Sequence, residues 1–276
     1  MKYHDYKITG GDYMKKCKHI SFLALALLFF TCAPNPLTGK KTMAFVDNSM
    51  LFPSSFQQYE QFLSENEVIS GTPEAQMVER VGKNIREAAE KWFTSEGYGE
   101  YLRDYQWEYK LVDSNEVNAW CMPGGKIVIY TGILPLTQTE DGLATVMGHE
   151  VAHALLNHGQ QRMSAEILRQ LGAIGLSIFT SEELVMTLYG AGSQLLGALP
   201  FSRSHESEAD HYGVILMAIA GYNPDEAVPF WQRMASLSGA TPEFLSTHPS
   251  DATRIGHLQQ WISEAKEKAG EFGRDF

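Results

Sequence analysis

The stretch GHEVAHALLNHG, residues 148 to 159, decides the fold. Val151, Ala152, Ala154, Leu155 and Leu156 make it read as a buried helix, yet it also carries His149, Glu150 and His153. Residues four apart share a helix face, so the two histidines can each point one nitrogen at a common ion. Glu150 can reach a water on that ion without ligating it. Thr139 reads as the cap of this helix, Glu140 and Asp141 favour its positive end, and Asn157-His158-Gly159 reads as its stop. His158 is expected to act as a favourable charge near the last carbonyls rather than as a ligand. Two histidines and a glutamate are half a site, because a catalytic zinc takes three protein groups and leaves one position for water.

The missing half is sought downstream. Ser202-Arg203-Ser204-His205-Glu206-Ser207-Glu208-Ala209-Asp210 lies on a predicted helix over about 204 to 220. Glu206 and Asp210 share its face, which suits a metal ligand and a carboxylate that receives the other N–H of a ligand histidine. By helical phase Glu208 reads as solvated, while His205 and His211 face away from Glu206.

Upstream, Trp107 to Val112, Val117 to Trp120 and Lys126 to Tyr130 read as strands, the last entered through the turn Pro123-Gly124-Gly125. Thr72 with Pro73 starts a helix whose Val78, Val81, Ile85, Ala88, Ala89 and Trp92 recur at helical spacing, as scaffold. Further helices are expected over 224 to 236, opened by a capping box of Asn223 and Glu226, and over 251 to 268. Residues 161 to 200 are Gly-rich and apolar and read as a helical hairpin, either core or a lid over the site. The fold class is therefore α+β, mostly helical, with a small antiparallel sheet ahead of the active helix.

The chain has 276 residues, 44% apolar and 20% charged, with a net charge of −11. Because the first 31 residues are basic, the charge over 32 to 276 falls to −14, which argues against nucleic acid as a partner. Met14 to Lys18 followed by the apolar run Ile20 to Phe30 reads as an export signal over 1 to 31, with residues 1 to 13 ahead of a second start at Met14. The run ends in Phe29-Phe30-Thr31-Cys32, similar to a bacterial lipobox except that Thr31 stands where Gly, Ala or Ser is usual, so Cys32 is expected to be lipidated and to hold the chain on a membrane, with simple signal-peptidase cleavage as the alternative. Residues 32 to 52 then read as a tether with a short ordered stretch, and 53 to 276 as the catalytic domain. Cys121 would be the one thiol left, and reads as packing.

Taken together, these motifs resemble the HtpX-like and BepA-like zinc metallopeptidases, relatives of the CAAX prenyl protease. The family's H-E-x-x-H falls on His149, Glu150 and His153, and its S-R-x-x-E-x-x-A-D falls on Ser202, Arg203, Glu206, Ala209 and Asp210. N-A-x-x-x-P-G-G is matched by Asn118, Ala119 and Pro123 to Gly125, and STHPSDATRI by His248, Pro249 and Arg254. Lipoprotein members also carry a stretch like Asn35 to Gly39. The resemblance implies a zincin-like fold with one zinc held by His149, His153 and Glu206, Glu150 as general base, and Asp210 behind a ligand histidine. It also implies that His248 can occupy the open zinc position and keep the enzyme latent; the bland reading of His248 is a turn residue. Arg203 is either the stabiliser of the oxyanion or a salt bridge between two helices. The strand Lys126, Ile127, Val128 to Tyr130, or the edge entering it from Asn118 and Ala119 to Met122, is the expected platform for an extended peptide. The expected setting is the bacterial periplasm, with the outer membrane favoured. The expected substrates are unfolded or misassembled envelope proteins, cleaved or, alternatively, bound by a chaperone-like assembly factor with latent activity.

Overall fold

The computed structural model describes residues 32–43, 47–174, 201–237, 242–248 and 253–276. The expected export signal over 1 to 31 and most of the expected hairpin, over 175 to 200, lie outside the described residues. Strands β1 (Cys32–Pro34) and β2 (Lys41–Met43) pair antiparallel. Between them Asn35 closes a turn, its Oδ1 accepting from the Leu37 and Thr38 amides while Nδ2 donates to the Leu155 carbonyl at 2.9 Å. The stretch expected to be a tether is thus docked on the active helix, and its last residues already belong to α1 (Asn48–Glu65).

Helix α2 (Pro73–Ser95) starts as its sequence predicts, with the Thr72 hydroxyl accepting from the Ala75 amide and Pro73 in the first turn, a cap that contributes about 1 kcal/mol. Its predicted apolar face is buried. Strands β3 (Val68–Ile69), β4 (Glu108–Val112), β5 (Ala119–Met122) and β6 (Lys126–Tyr130) form one sheet in the order β3-β4-β6-β5. The sheet is mixed rather than antiparallel, since β4 runs parallel to β6. The cause is that the second strand of the β5–β6 hairpin, not the first, sits beside β4. Gly124 and Gly125 take φ of +88° and +90°, closing a hairpin that folds β6 back between β4 and β5. This leaves β5 at the edge of the sheet. A short helix α3 (Leu134–Thr137) leads from the sheet towards the active helix.

Helix α4 (Glu140–Leu155) is capped by Thr139, which accepts from the Gly142 amide, and every residue from Gly142 to Leu155 is buried. Each buried Leu, Val or Met there contributes roughly 1.5–3 kcal/mol, so its position is set by tertiary packing. Asn157, at φ +57°, breaks the helix, and α5 (His158–Ile174) follows. Helix α6 (Arg203–Ile219), capped by Ser202, crosses α4 at very close range. A Cβ on Gly148 would stand 2.6 Å from the Gly213 carbonyl oxygen, and one on Gly213 would stand 2.8 Å from the His149 nitrogen. Only hydrogen fits at either position.

The chain ends in α7 (Ala227–Ala235), α8 (Glu243–Thr247) and α9 (Arg254–Glu271). The expected capping box before α7 does not form. Asn223 caps a 3-10 turn by accepting from Asp225, and Glu226 pairs with Arg233 instead. No helix of the described residues is long and apolar enough to cross a membrane.

Candidate metal centre

Helix α4 supplies His149, Glu150 and His153, α6 supplies Glu206 and Asp210, and the end of α8 supplies His248, all 4% exposed or less. One donor atom each from His149, His153, Glu206 and His248 lies within 4.8 Å of the others. His149 Nδ1 donates to Asp210 Oδ1 at 2.9 Å, which turns its Nε2 inward. There it lies 3.1 Å from His153 Nε2 and 3.5 Å from Glu206 Oε2, and His153 Nε2 lies 3.3 Å from Glu206 Oε1. Two imidazole lone pairs and a carboxylate converging in a buried space are the donor set of one zinc ion.

The protonation of these groups points the same way. Burial disfavours a charged His149, but the bonds to Asp210 and Glu206 outweigh it and push the pKa up to about 10. Burial holds His153 well below the usual histidine range, and the neighbouring His149 adds to the effect against the pull of Glu206. Burial also works to raise Glu206, yet bonds from His149, His153 and His248 overcome it and keep it ionised. The cluster therefore favours positive charge without room for a proton on each ring. For Glu150 burial dominates and raises the pKa above the ordinary carboxylate range. Its Oε1 is buried with no hydrogen-bond partner among the described residues, an acceptor available for the proton of a water.

His248 is far from a surface turn. Its Nδ1 lies 3.1 Å from Glu206 Oε1 and 3.3 Å from His149 Nε2, and its Nε2 lies 3.4 Å from Glu150 Oε1. The Phe244 ring stacks against it at 4.6 Å.

Other expectations need correcting. His158 is not a charge at the helix end. It is 0% exposed and opens α5, and burial lowers its pKa. Its Nδ1 sits 2.9 Å from His153 Nδ1, and its Nε2 donates to Glu208 Oε2 at 3.2 Å. Glu208 is accordingly not simply solvated, since it also pairs with Lys40. Arg203 is exposed on the first turn of α6, outside the cleft and with no ion pair among the described residues, so the structure gives it neither expected role. His211 pairs at the surface with Glu264.

Two arginines to which no motif assigns a role also reach the site. Arg254 Nε donates to Asp210 Oδ2 at 2.6 Å and Nη2 to Glu206 Oε2 at 2.7 Å, with its guanidinium 3.8 Å above the Trp231 ring. It clamps both carboxylates from behind. Its only signal was its place in the STHPSDATRI stretch. Arg162, on α5, lies in the cleft 3.6 Å over the Phe201 ring, and burial lowers its pKa to about 10, so it stays cationic at neutral pH.

The cleft, about 490 Å³, runs between these helices and β5. Strand β6 is enclosed by β4 and β5. Lys126 pairs with Glu108 at 3.0 Å, while Ile127 and Val128 are fully buried, so none of the three is a peptide platform. The edge is β5. The Tyr130 amide donates to the Asn118 carbonyl, which makes 118, 120 and 122 face β6 and leaves the main-chain groups of Ala119 and Cys121 outside the ladder, where the Ala119 amide donates to Asn118 Oδ1 at 2.9 Å and the Cys121 amide donates to the Glu150 carboxyl.

The profile of "Peptidase family M48" matches residues 80–262. "Mitochondrial metalloendopeptidase OMA1" of Schizosaccharomyces pombe is 37% identical over 174 residues, covering 60% of this chain and 50% of that protein. The protein of the same name in Saccharomyces cerevisiae is 28% identical over 291 residues, covering 95% of this chain and 82% of its own length. The "Beta-barrel assembly-enhancing protease" of Escherichia coli is 27% identical over 178 residues, covering 60% of this chain and 36% of that protein. The mitochondrial relatives at higher identity overturn the expectation of a periplasmic chain held by lipid on an outer membrane. With the donor set of a zinc metalloendopeptidase in place, the chain belongs to peptidase family M48.

Proposed function

We propose that the chain is a zinc-dependent endopeptidase that cleaves extended segments of misfolded or misassembled proteins, with zinc held by His149, His153 and Glu206. The observation that carries this reading is the convergence of the three donors beside Glu150, whose Oε1 is buried without a hydrogen bond. When bound, zinc polarises a peptide carbonyl and acidifies water towards a pKa of ~7. Glu150 takes the proton of the attacking water and returns it to the leaving amine. Asp210 orients His149, and Arg254 keeps Asp210 and Glu206 in place. Arg162 faces the developing oxyanion. The free edge of β5 holds the peptide by main-chain bonds, which makes selection by side chain weak.

A second reading, a chaperone-like assembly factor with latent hydrolysis, is favoured by one observation. His248 occupies the space between the donors and Glu150 and has to leave before a peptide carbonyl can enter. Both readings are tested by casein degradation with wild type, Glu150→Gln and His248→Ala, with a chelator control. Endopeptidase activity predicts chelator-sensitive cleavage by wild type and a loss of roughly 10²–10⁴-fold in Glu150→Gln with zinc retained. Cleavage by His248→Ala alone supports latency, and no cleavage by either protein overturns the endopeptidase.

A further inference from the structure

His149 and His153 are both expected to present Nε2 to the metal, yet only His149 has a carboxylate against its other nitrogen. A neutral imidazole that offers Nε2 as a lone pair must carry its proton on Nδ1. Among the described residues the Nδ1 of His153 has one hydrogen-bonding neighbour, His158 Nδ1, at 2.9 Å. A hydrogen bond between these nitrogens requires that His158 Nδ1 be bare, and therefore that the His158 proton sit on Nε2. That nitrogen lies 3.2 Å from Glu208 Oε2, a carboxylate that can only accept when ionised. The proton positions along the whole row follow from one condition at its inner end.

We infer that His158 and Glu208 are positioning residues that lock His153 in the tautomer presenting Nε2 to the metal. The inference rests on the reading of His153 as a metal ligand. The row is built to keep its geometry. The His205 ring stacks on His158 at 4.3 Å with the planes 16° apart, which fixes the plane of the middle ring. Lys40 holds Glu208, and Lys40 is delivered by the turn that Asn35 anchors to the Leu155 carbonyl. The segment before the family match thereby completes a polar network reaching the metal from outside the HExxH helix. The two ligand histidines are supported in different ways: His149 bonds a carboxylate directly, whereas His153 reaches one through a second imidazole.

The test is zinc affinity of the full chain, measured by competition with a chromophoric chelator, for wild type, His158→Leu, His158→Asn, Glu208→Leu and Glu208→Gln. Both leucine variants are expected to bind zinc roughly 10–100-fold more weakly. His158→Asn and Glu208→Gln each keep an oxygen that can accept and are expected to stay within about threefold of wild type. Wild-type affinity in both leucine variants, or an equal loss in His158→Asn and His158→Leu, overturns the inference. Should His158→Leu fail to fold, the partly exposed Glu208 pair carries the comparison. Nitrogen-15 NMR of the histidines in zinc-loaded wild type gives an independent readout. Protons on His153 Nδ1 and His158 Nε2 are expected, and any other pattern overturns the inference. A wild type that binds no zinc, or a His153→Ala that binds it as tightly, defeats the ligand assignment itself, an outcome separate from these.

Discussion

The two walls of the cleft are built on different principles. The helical wall of α4 and α6 works through side chains: His149, Glu150, His153, Glu206 and Asp210 are all nearly fully buried and held by one another and by Arg254. The wall formed by β5 offers main chain, because its edge leaves the Ala119 and Cys121 carbonyls outside the sheet ladder. Chemistry needs donors fixed to within fractions of an ångström, and burial supplies that. Recognition of unfolded chains needs indifference to sequence, and a strand edge supplies that.

Three predictions bear on this contrast. The largest effect is expected at Arg162, which stands between the walls. Arg162→Leu should lower kcat by roughly 10²-fold with zinc content unchanged, whereas Arg203→Leu should change little. Equal losses in the two variants would remove Arg162 from the oxyanion role. The strand wall is probed from the substrate side, with a set of peptides each N-methylated at one successive residue. Each main-chain bond lost to β5 should cost roughly 5–10-fold in kcat/KM, mostly through KM, and only at alternate residues. A flat profile would mean that the peptide does not pair with β5.

The smallest effect concerns Lys126, assigned here to the sheet rather than to the cleft. Glu108 is held below its ordinary pKa of 4.5, because bonds from Lys126 and Lys110 overcome the opposing effect of burial. A carboxylate lowered on folding stabilises the fold above its unfolded pKa and loses that contribution as pH falls through its folded value. Glu108→Gln should therefore unfold more easily than wild type at pH 7, and the difference should shrink below about pH 4.5. Solvent at this partly exposed pair keeps it small, and cleavage should be unaffected. A change in KM would return Lys126 to the cleft.

What was legible in the sequence was what local rules encode. The Thr72 and Thr139 caps, the apolar face of α2 and the spacing of His149, Glu150 and His153 all act within a few residues, and α2 and α4 formed where their patterns placed them. Glu206 and Asp210 were legible because a shared helix face survives folding. Sheet order was not. Whether β6 or β5 ends at the edge depends on which slot the hairpin fills after β4, and both strands are short apolar runs without an alternating pattern to name their neighbours. His158 and Glu208 were misread for a related reason. Helical phase says which residues share a face, but not that Asn157 turns the chain so that α5 brings His158 back against His153. Arg162 and Arg254 approach from other helices and carry no spacing relative to the metal ligands.

The contact of Gly148 with Gly213 bears on the centre without contributing an atom to it. The residue after Gly148 is His149, and Gly213 lies less than one turn beyond Asp210, so the gap between the two helices sets the bite of the ligands. Two hydrogens act as the gauge of that gap. A methyl group at either position would leave every donor in the sequence and still splay them. The spacing of the donors is therefore held by main chain pressed on main chain, where no side chain is present.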